Sequence, residues 1–189
     1  MMPAVSNAAH YPGSARRAPI AVVALVASTL LVLAGCGRDD VRPTPARKAV
    51  VPQRDWPQVA PRDATAANAV LMRAISLVGT PYRYGGNTPE SGFDCSGLVN
   101  YVYRDMLDLR LPRSSRELAA WQGPRIAPGQ LATADLVFFG SDGQVSHVGI
   151  YVGEGRFVHA PTTGGTVRLD HLDGSYWRRN YTGAKRVLH

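Results

Sequence analysis

DLVFFGSDGQVSHVGIYVGEGRFVHAPTTGGTVRL, residues 135–169, is the stretch that decides the fold class. Four short β-branched and aromatic runs fall within it: Asp135–Phe139, Val145–Val152, Arg156–Ala160 and Thr166–Leu169. Asp142-Gly143, Gly153-Glu154-Gly155 and Thr163-Gly164-Gly165 separate them as turns. Short runs broken by Gly-containing turns predict antiparallel hairpins. A last strand is expected near Lys185–Leu188. Upstream the period becomes helical. Ala67, Val70, Leu71, Ala74, Ile75 and Val78 form one apolar face behind a cap at Asp63 or Thr65, and Gly79 ends it. Thr80–Phe93 reads as loop. A second helix is expected over Cys95–Leu107, with Leu98, Val99, Val102 and Met106 facing the core. Ser114-x-x-Glu117 is a capping box opening a short third helix through Trp121. Helices first and strands second predict an α+β fold, with N-terminal helices packed on an antiparallel sheet.

Cys95 stands at the start of the second helix, in Phe93-Asp94-Cys95-Ser96-Gly97. Unpaired N–H groups and the helix dipole favour a thiolate there. A buried structural cysteine is the competing reading. His147 alters the balance. Strict alternation puts Val145, His147, Gly149 and Tyr151 on one sheet face. A histidine on a face packed against the Cys95 helix can take the thiol proton, the usual activation of a cysteine nucleophile. His159, on the next strand, can be set beside His147 by antiparallel pairing and fix its ring. Asp94 and Asp135 are the carboxylate alternatives for that task, though Asp94 more naturally caps the helix. The backbone N–H of Cys95 is the natural oxyanion donor, and Tyr82 can add a phenol from the loop. Trp121 and Trp177 read as packing residues. Two histidines and a cysteine can also bind zinc, but the spacing is wide and neither CxxC nor HExxH occurs, so no metal and no cofactor are expected.

The first 35 residues have a different character. Arg16-Arg17 precede an apolar run, Ala18–Gly35, in the layout of a secretory signal. The run is just long enough to span a bilayer, for which about 18 apolar residues is the lower limit. Its end, Leu33-Ala34-Gly35-Cys36, resembles a bacterial lipobox, in which the cysteine is acylated and becomes the mature N-terminus. Acylation of Cys36 would exclude a disulfide between the chain's two cysteines. Gly37 after it, rather than Asp, implies by the same resemblance an outer-membrane anchor facing the periplasm. From Cys36 to about Arg62 five prolines and no apolar period predict an extended tether. The expected organisation is therefore a leader over 1–35, a lipidated tether over 36–62 and a folded domain over 63–189.

The formal net charge is +7, and without Arg16 and Arg17 there remain 19 basic against 14 acidic residues. Such an excess suits a polyanionic neighbourhood of lipid or cell wall. Nothing resembles a zinc finger, a phosphate loop or a basic helix interleaved with aromatics, so nucleic acid is not an expected partner.

In this order the segments resemble the NlpC family of papain-like cell-wall cysteine peptidases. The matching segments are Gly79–Gly86 (GTPYRYGG), Phe93–Val99 (FDCSGLV), Leu111–Ser114 (LPRS), Ala134–Phe139 (ADLVFF), Ser146–Gly153 (SHVGIYVG) and Phe157–Ala160 (FVHA). The ending Tyr176–Tyr181 through Lys185–Leu188 is similar to that of lipoprotein murein endopeptidases of Gram-negative bacteria. The resemblance implies a small papain-like core, Cys95 as nucleophile, His147 as base, His159 as orienting residue and Tyr82 on the oxyanion side. It also implies peptidoglycan peptides as substrate, cut next to diaminopimelate. A non-catalytic murein-binding lipoprotein on the same fold is the alternative.

Overall fold

The computed structural model describes residues 55–162 and 165–188. The leader, Cys36, the tether up to residue 54 and the turn at Thr163-Gly164 lie outside the described residues. Helix α1 (Ala64–Ser76) is capped by Asp63, whose side chain accepts from the Ala66 N–H. Helix α2 (Cys95–Leu107) is followed by α3 (Ser115–Ala120), where both halves of the Ser114/Glu117 capping box are made. A two-stranded ribbon, β1 (Asn87–Thr88) with β2 (Gly92–Phe93), lies within the segment read as loop. Then come β3 (Leu136–Ser141), β4 (Gln144–Gly153), β5 (Arg156–His159) and β6 (Arg168–His171). A short helix, α4 (Ser175–Asn180), leads into β7 (Tyr181–Lys185). The five longer strands form one antiparallel sheet in the order β6-β5-β4-β3-β7.

Both faces of the sheet are covered, which is why β3 reads as a continuous apolar run rather than an alternation. Leu136, Phe138, Val148, Ile150 and Val158 pack with Val70, Leu98, Val99, Val102 and Tyr103 of the helices. Val137, Phe139, Tyr151 and Phe157 form a second core on the far face, with Trp56, Trp177 and Tyr181 against it. Three residues assigned inward by helical period are exposed instead: Ile75, Val78 and Met106. Each helix lies on one wall of a small domain, so the buried stripe is narrower than the apolar one. Tyr103 takes the place expected of Met106 and donates its hydroxyl hydrogen bond to the Ala134 carbonyl.

Strict alternation fails on β4 at one residue. Phe139 pairs with His147 but Gly140 pairs with Val145, so Ser146 is an extra residue, a β-bulge. Gly140 makes room for it, since a Cβ there would lie 1.8 Å from the Gln144 carbonyl oxygen. Val145 consequently joins the helix-side core while His147 lies beside Phe139 on the far face. The strands otherwise differ from expectation by position. β6 begins two residues later than Thr166 and runs on to His171, and β7 begins at Tyr181 rather than near Lys185.

Residues 55–62, read as tether from their prolines, lie on this domain. Trp56 donates its indole N–H to Asp173 at 3.0 Å, and its ring lies 6.3 Å from that of Tyr151. Val59 bridges to Ala132 in parallel. Trp56 and Val59, two isolated residues, carry this docking, and neither has a period to detect.

Candidate active site

The first turn of α2 is clamped from several directions. Asp94 caps it, its Oδ1 accepting the Gly97 N–H at 2.6 Å, while Oδ2 accepts the Gly85 N–H at 2.9 Å. Arg113 grips the same carboxylate with two prongs, Nη1 to Oδ1 at 2.9 Å and Nη2 to Oδ2 at 2.8 Å, and Nη1 also reaches Ser96 Oγ at 2.7 Å. Burial alone would raise the Asp94 pKa, but Arg113 and the two backbone N–H groups outweigh it and hold the carboxyl below its ordinary value. The loop bearing Tyr82 packs tightly onto this turn, because a Cβ on Gly97 would stand 2.0 Å from the Gly86 carbonyl oxygen. Asp94 is thus fully engaged in holding the helix end. Asp135, the other carboxylate considered, is buried in a two-pronged pair with Arg186 at 2.9 and 2.8 Å and accepts the Ala132 N–H.

Cys95 follows the cap. The backbone N–H groups of Val148, Ser96 and Cys95 itself all favour its thiolate, as a helix start should, yet burial is the larger influence and pushes the thiol up. The expectation of a depressed pKa is therefore reversed for the cysteine alone. Its partner is shifted in the opposite sense: burial first, then the neighbouring His159, holds His147 far below the usual imidazole range. A lone thiolate and a lone imidazolium are each disfavoured. Transferring one proton from sulfur to ring creates both charges together, where each offsets the other.

On the far face of the sheet, His147 is the first of a chain of three. Its Nε2 lies 2.9 Å from His159 Nδ1, and His159 Nε2 lies 3.0 Å from Asp170 Oδ2. The chain has a direction. An ionised carboxylate only accepts, so His159 carries its proton on Nε2 and presents a bare Nδ1. His147 must then donate from Nε2, which leaves its Nδ1 as the basic nitrogen. Asp170 is anchored by the Trp177 indole N–H at 2.9 Å and by Arg168 through Nε at 3.2 Å and Nη2 at 2.9 Å. Trp177 also stacks on His147, with ring centroids 5.5 Å apart and planes 28° apart, and meets His159 edge-on.

Trp177 is accordingly part of the site and not only packing, and Asp170 was missed. The strand read as Thr166–Leu169 ended one residue short of it. With β6 running to His171, the β5–β6 register pairs Asp170 with Phe157 and so puts the two on a common face. Gly149 gives His159 its place, since a Cβ there would lie 3.3 Å from His159 Cβ and 2.6 Å from Phe157 Cδ2.

Cys95 and His147 share a cavity of about 520 Å³ with Tyr82, Ser146, Arg168 and Tyr176 among its walls. Tyr82 is held by its backbone N–H on the Gly165 carbonyl at 2.8 Å. Burial and the nearby Cys95 and Asp94 raise its pKa, so its hydroxyl stays a neutral donor. The arrangement supplies a nucleophile, a base of fixed tautomer and hydrogen-bond donors around one space, the parts needed for acyl transfer.

Residues 79–186 match the model of the NlpC/P60 family. Over 126 residues the chain is 40% identical to murein DD-endopeptidase MepH of Escherichia coli K12, covering 65% of this chain and 46% of that protein. It is 39% identical over 166 residues to the probable endopeptidase NlpC of the same organism, covering 86% of this chain and 97% of that one. The chain thus spans less than half of the first relative and nearly all of the second. Among solved structures, the NlpC/p60 domain of peptidoglycan hydrolase SagA superposes with a TM-score of 0.57 at 31% identity, covering 64% of this chain and 98% of that one. With the family model matching more than half of the chain, and with a papain-like α+β core that sets Cys95 and His147 on one cavity and His159 behind His147, the chain belongs to the NlpC/P60 family.

Proposed function

We propose that the protein is a peptidoglycan endopeptidase of the cysteine type, anchored through an acylated Cys36 to the outer membrane and facing the periplasm. The observation that carries the reading is Cys95 and His147 on one cavity, with His147 backed by His159 and Asp170. Murein endopeptidases among the relatives support the substrate class. In the proposed reaction His147 Nδ1 takes the Cys95 proton as the sulfur attacks the carbonyl of a peptide bond next to diaminopimelate. The oxyanion is met by the Cys95 N–H and the Tyr82 hydroxyl. His147 returns the proton to the leaving amine, which departs and leaves a thioester. Water, deprotonated by His147, attacks the thioester and releases the carboxylic acid and the free thiol. The anchor and tether hold the domain beside its substrate.

Digestion of purified diaminopimelate-type murein by the full chain in detergent, beside its Cys95→Ala form, tests the reading. New amine and carboxyl ends, read by mass spectrometry and made only by the intact protein, are expected. Equal cleavage by Cys95→Ala would overturn it.

A further inference from the structure

Arg168 stands on the wall of the cavity that holds Cys95 and His147. Among the described residues it is the one side chain of permanent positive charge there, no carboxylate lines the space, and about half of its side chain is open to solvent. Its hydrogen bonding is lopsided. Both Nε and Nη2 converge on the same oxygen of Asp170, which also receives His159 and Trp177. One carboxylate oxygen has about two lone pairs for four donors. The guanidinium, for its part, has five N–H groups, and the fork suited to two parallel bonds with a carboxylate is not used in that way. His159 is fully buried and Trp177 is packed among aromatics, so Arg168 is the donor free to turn toward another anion.

We propose that Arg168 is the specificity residue of the cavity, taking a free carboxylate of the substrate in its fork. The inference rests on the peptidase reading above, because murein stem peptides carry carboxylates on D-glutamate and diaminopimelate besides those in peptide linkage. With the cavity empty, Arg168 is held on Asp170, and its positive charge lowers the basicity of both His147 and His159. A substrate carboxylate neutralises that charge and draws the guanidinium from Asp170, whose own charge then bears on His159. The base strengthens when the cavity holds an acidic peptide. A neutral peptide of the same shape neither binds as well nor gains this effect.

The test compares synthetic diaminopimelate-containing stem peptides, each free carboxylate replaced in turn by a carboxamide. The full chain is assayed for kcat/KM, and its Cys95→Ala form for affinity by calorimetry, so that recognition is read even without turnover. One amidation is expected to cost the wild type about tenfold to a hundredfold, the worth of a charge-assisted hydrogen bond. Arg168→Gln should lose the preference for acid over amide, its loss on the acidic peptide exceeding by that factor whatever common loss follows from releasing Asp170, with Arg168→Lys between them. Indifference of the wild type to every amidation, or an equal loss by Arg168→Gln on acid and amide, would overturn the proposal. Failure to cleave any peptide while calorimetry still shows the carboxylate preference would count against the peptidase reading and leave the recognition standing.

Discussion

Asp170 Oδ2 lies 3.0 Å from His159 Nε2, on the side of the ring away from His147. A second imidazole behind the base supplies no charge of its own. The carboxylate one step further out does so, and it fixes the tautomer of both rings at once, because each donor in the row must point toward Asp170. Trp177 and Arg168 keep that carboxylate in place, so the orientation of His147 is settled by residues from β5, β6 and α4.

Asp170→Asn should therefore lower the plateau of kcat/KM by about tenfold to a hundredfold, the cost usual for outer partners that orient a working histidine. The pH profile separates this from general damage. Asp170's charge raises both imidazoles against the burial that lowers them. Its loss moves them further down, so the acid limb should shift to lower pH while the plateau falls. A reduced plateau with an unmoved limb would make Asp170 merely structural.

The Arg113–Asp94 pair predicts a stability effect seated at the nucleophile. Arg113→Ala leaves a mostly buried carboxylate without its two-pronged partner and frees Ser96 Oγ at the start of α2. A loss of about 1–3 kcal/mol in urea unfolding is expected. Arg113→Lys should recover part of it, since a lysine restores charge but not the fork. A change below about 0.5 kcal/mol would mean that Gly97 and Gly85 alone satisfy Asp94.

Much of this was legible in the chain. The Cys95–Leu107 helix and the Ser114/Glu117 box match their expected positions, because caps are local chemistry written in adjacent residues. Cys95, His147, His159 and Tyr82 were nameable from motifs, and the fold brings all four together. What escaped was set by long-range geometry. The bulge at Ser146 depends on the lack of a side chain at Gly140, across the hairpin, and it turns Val145 to the helix side while His147 keeps the face of Gly149 and Tyr151. The Cys95 thiol is governed by burial under β4, which no helix-start argument contains. Trp56 docks on Asp173 from 117 residues away in sequence.

Acid should weaken the fold in a stated window. His159 is fully buried, and burial, partly offset by the Asp170 carboxylate, holds it down to about 4 against an ordinary value of 6.5. Between those values the unfolded chain binds the proton and the native one does not. Stability is thus complete above about pH 6.5 and declines as pH falls toward 4, by at most about 1.4 kcal/mol per pH unit for one such group. His159→Gln should flatten the fall in Tm between pH 7 and pH 5. An unchanged slope would show that His159 takes up its proton alike in the native and unfolded states, with no lowering by burial.

Gly149→Ala joins the packing of the sheet to the chemistry. The added Cβ would stand 2.6 Å from Phe157 Cδ2, 3.0 Å from the Val158 carbonyl oxygen and 3.3 Å from His159 Cβ. Phe157 is closed in by Phe139 and Trp177, at centroid distances of 4.9 and 5.1 Å, so it cannot simply swing aside. The strand must give, and His159 moves with it. Overpacking of this kind costs about 1–3 kcal/mol. Gly143→Ala is the control. It adds a methyl where nothing lies within 4 Å, at a φ of +74° in the β3–β4 turn, and so brings backbone strain without touching either histidine. Both variants should be less stable in urea, but only Gly149→Ala should also lose kcat, assayed well below its unfolding temperature. Equal kcat in the two would mean that the His147–His159 contact tolerates a shift of the strand, and that orientation of His147 rests on Trp177 stacking instead.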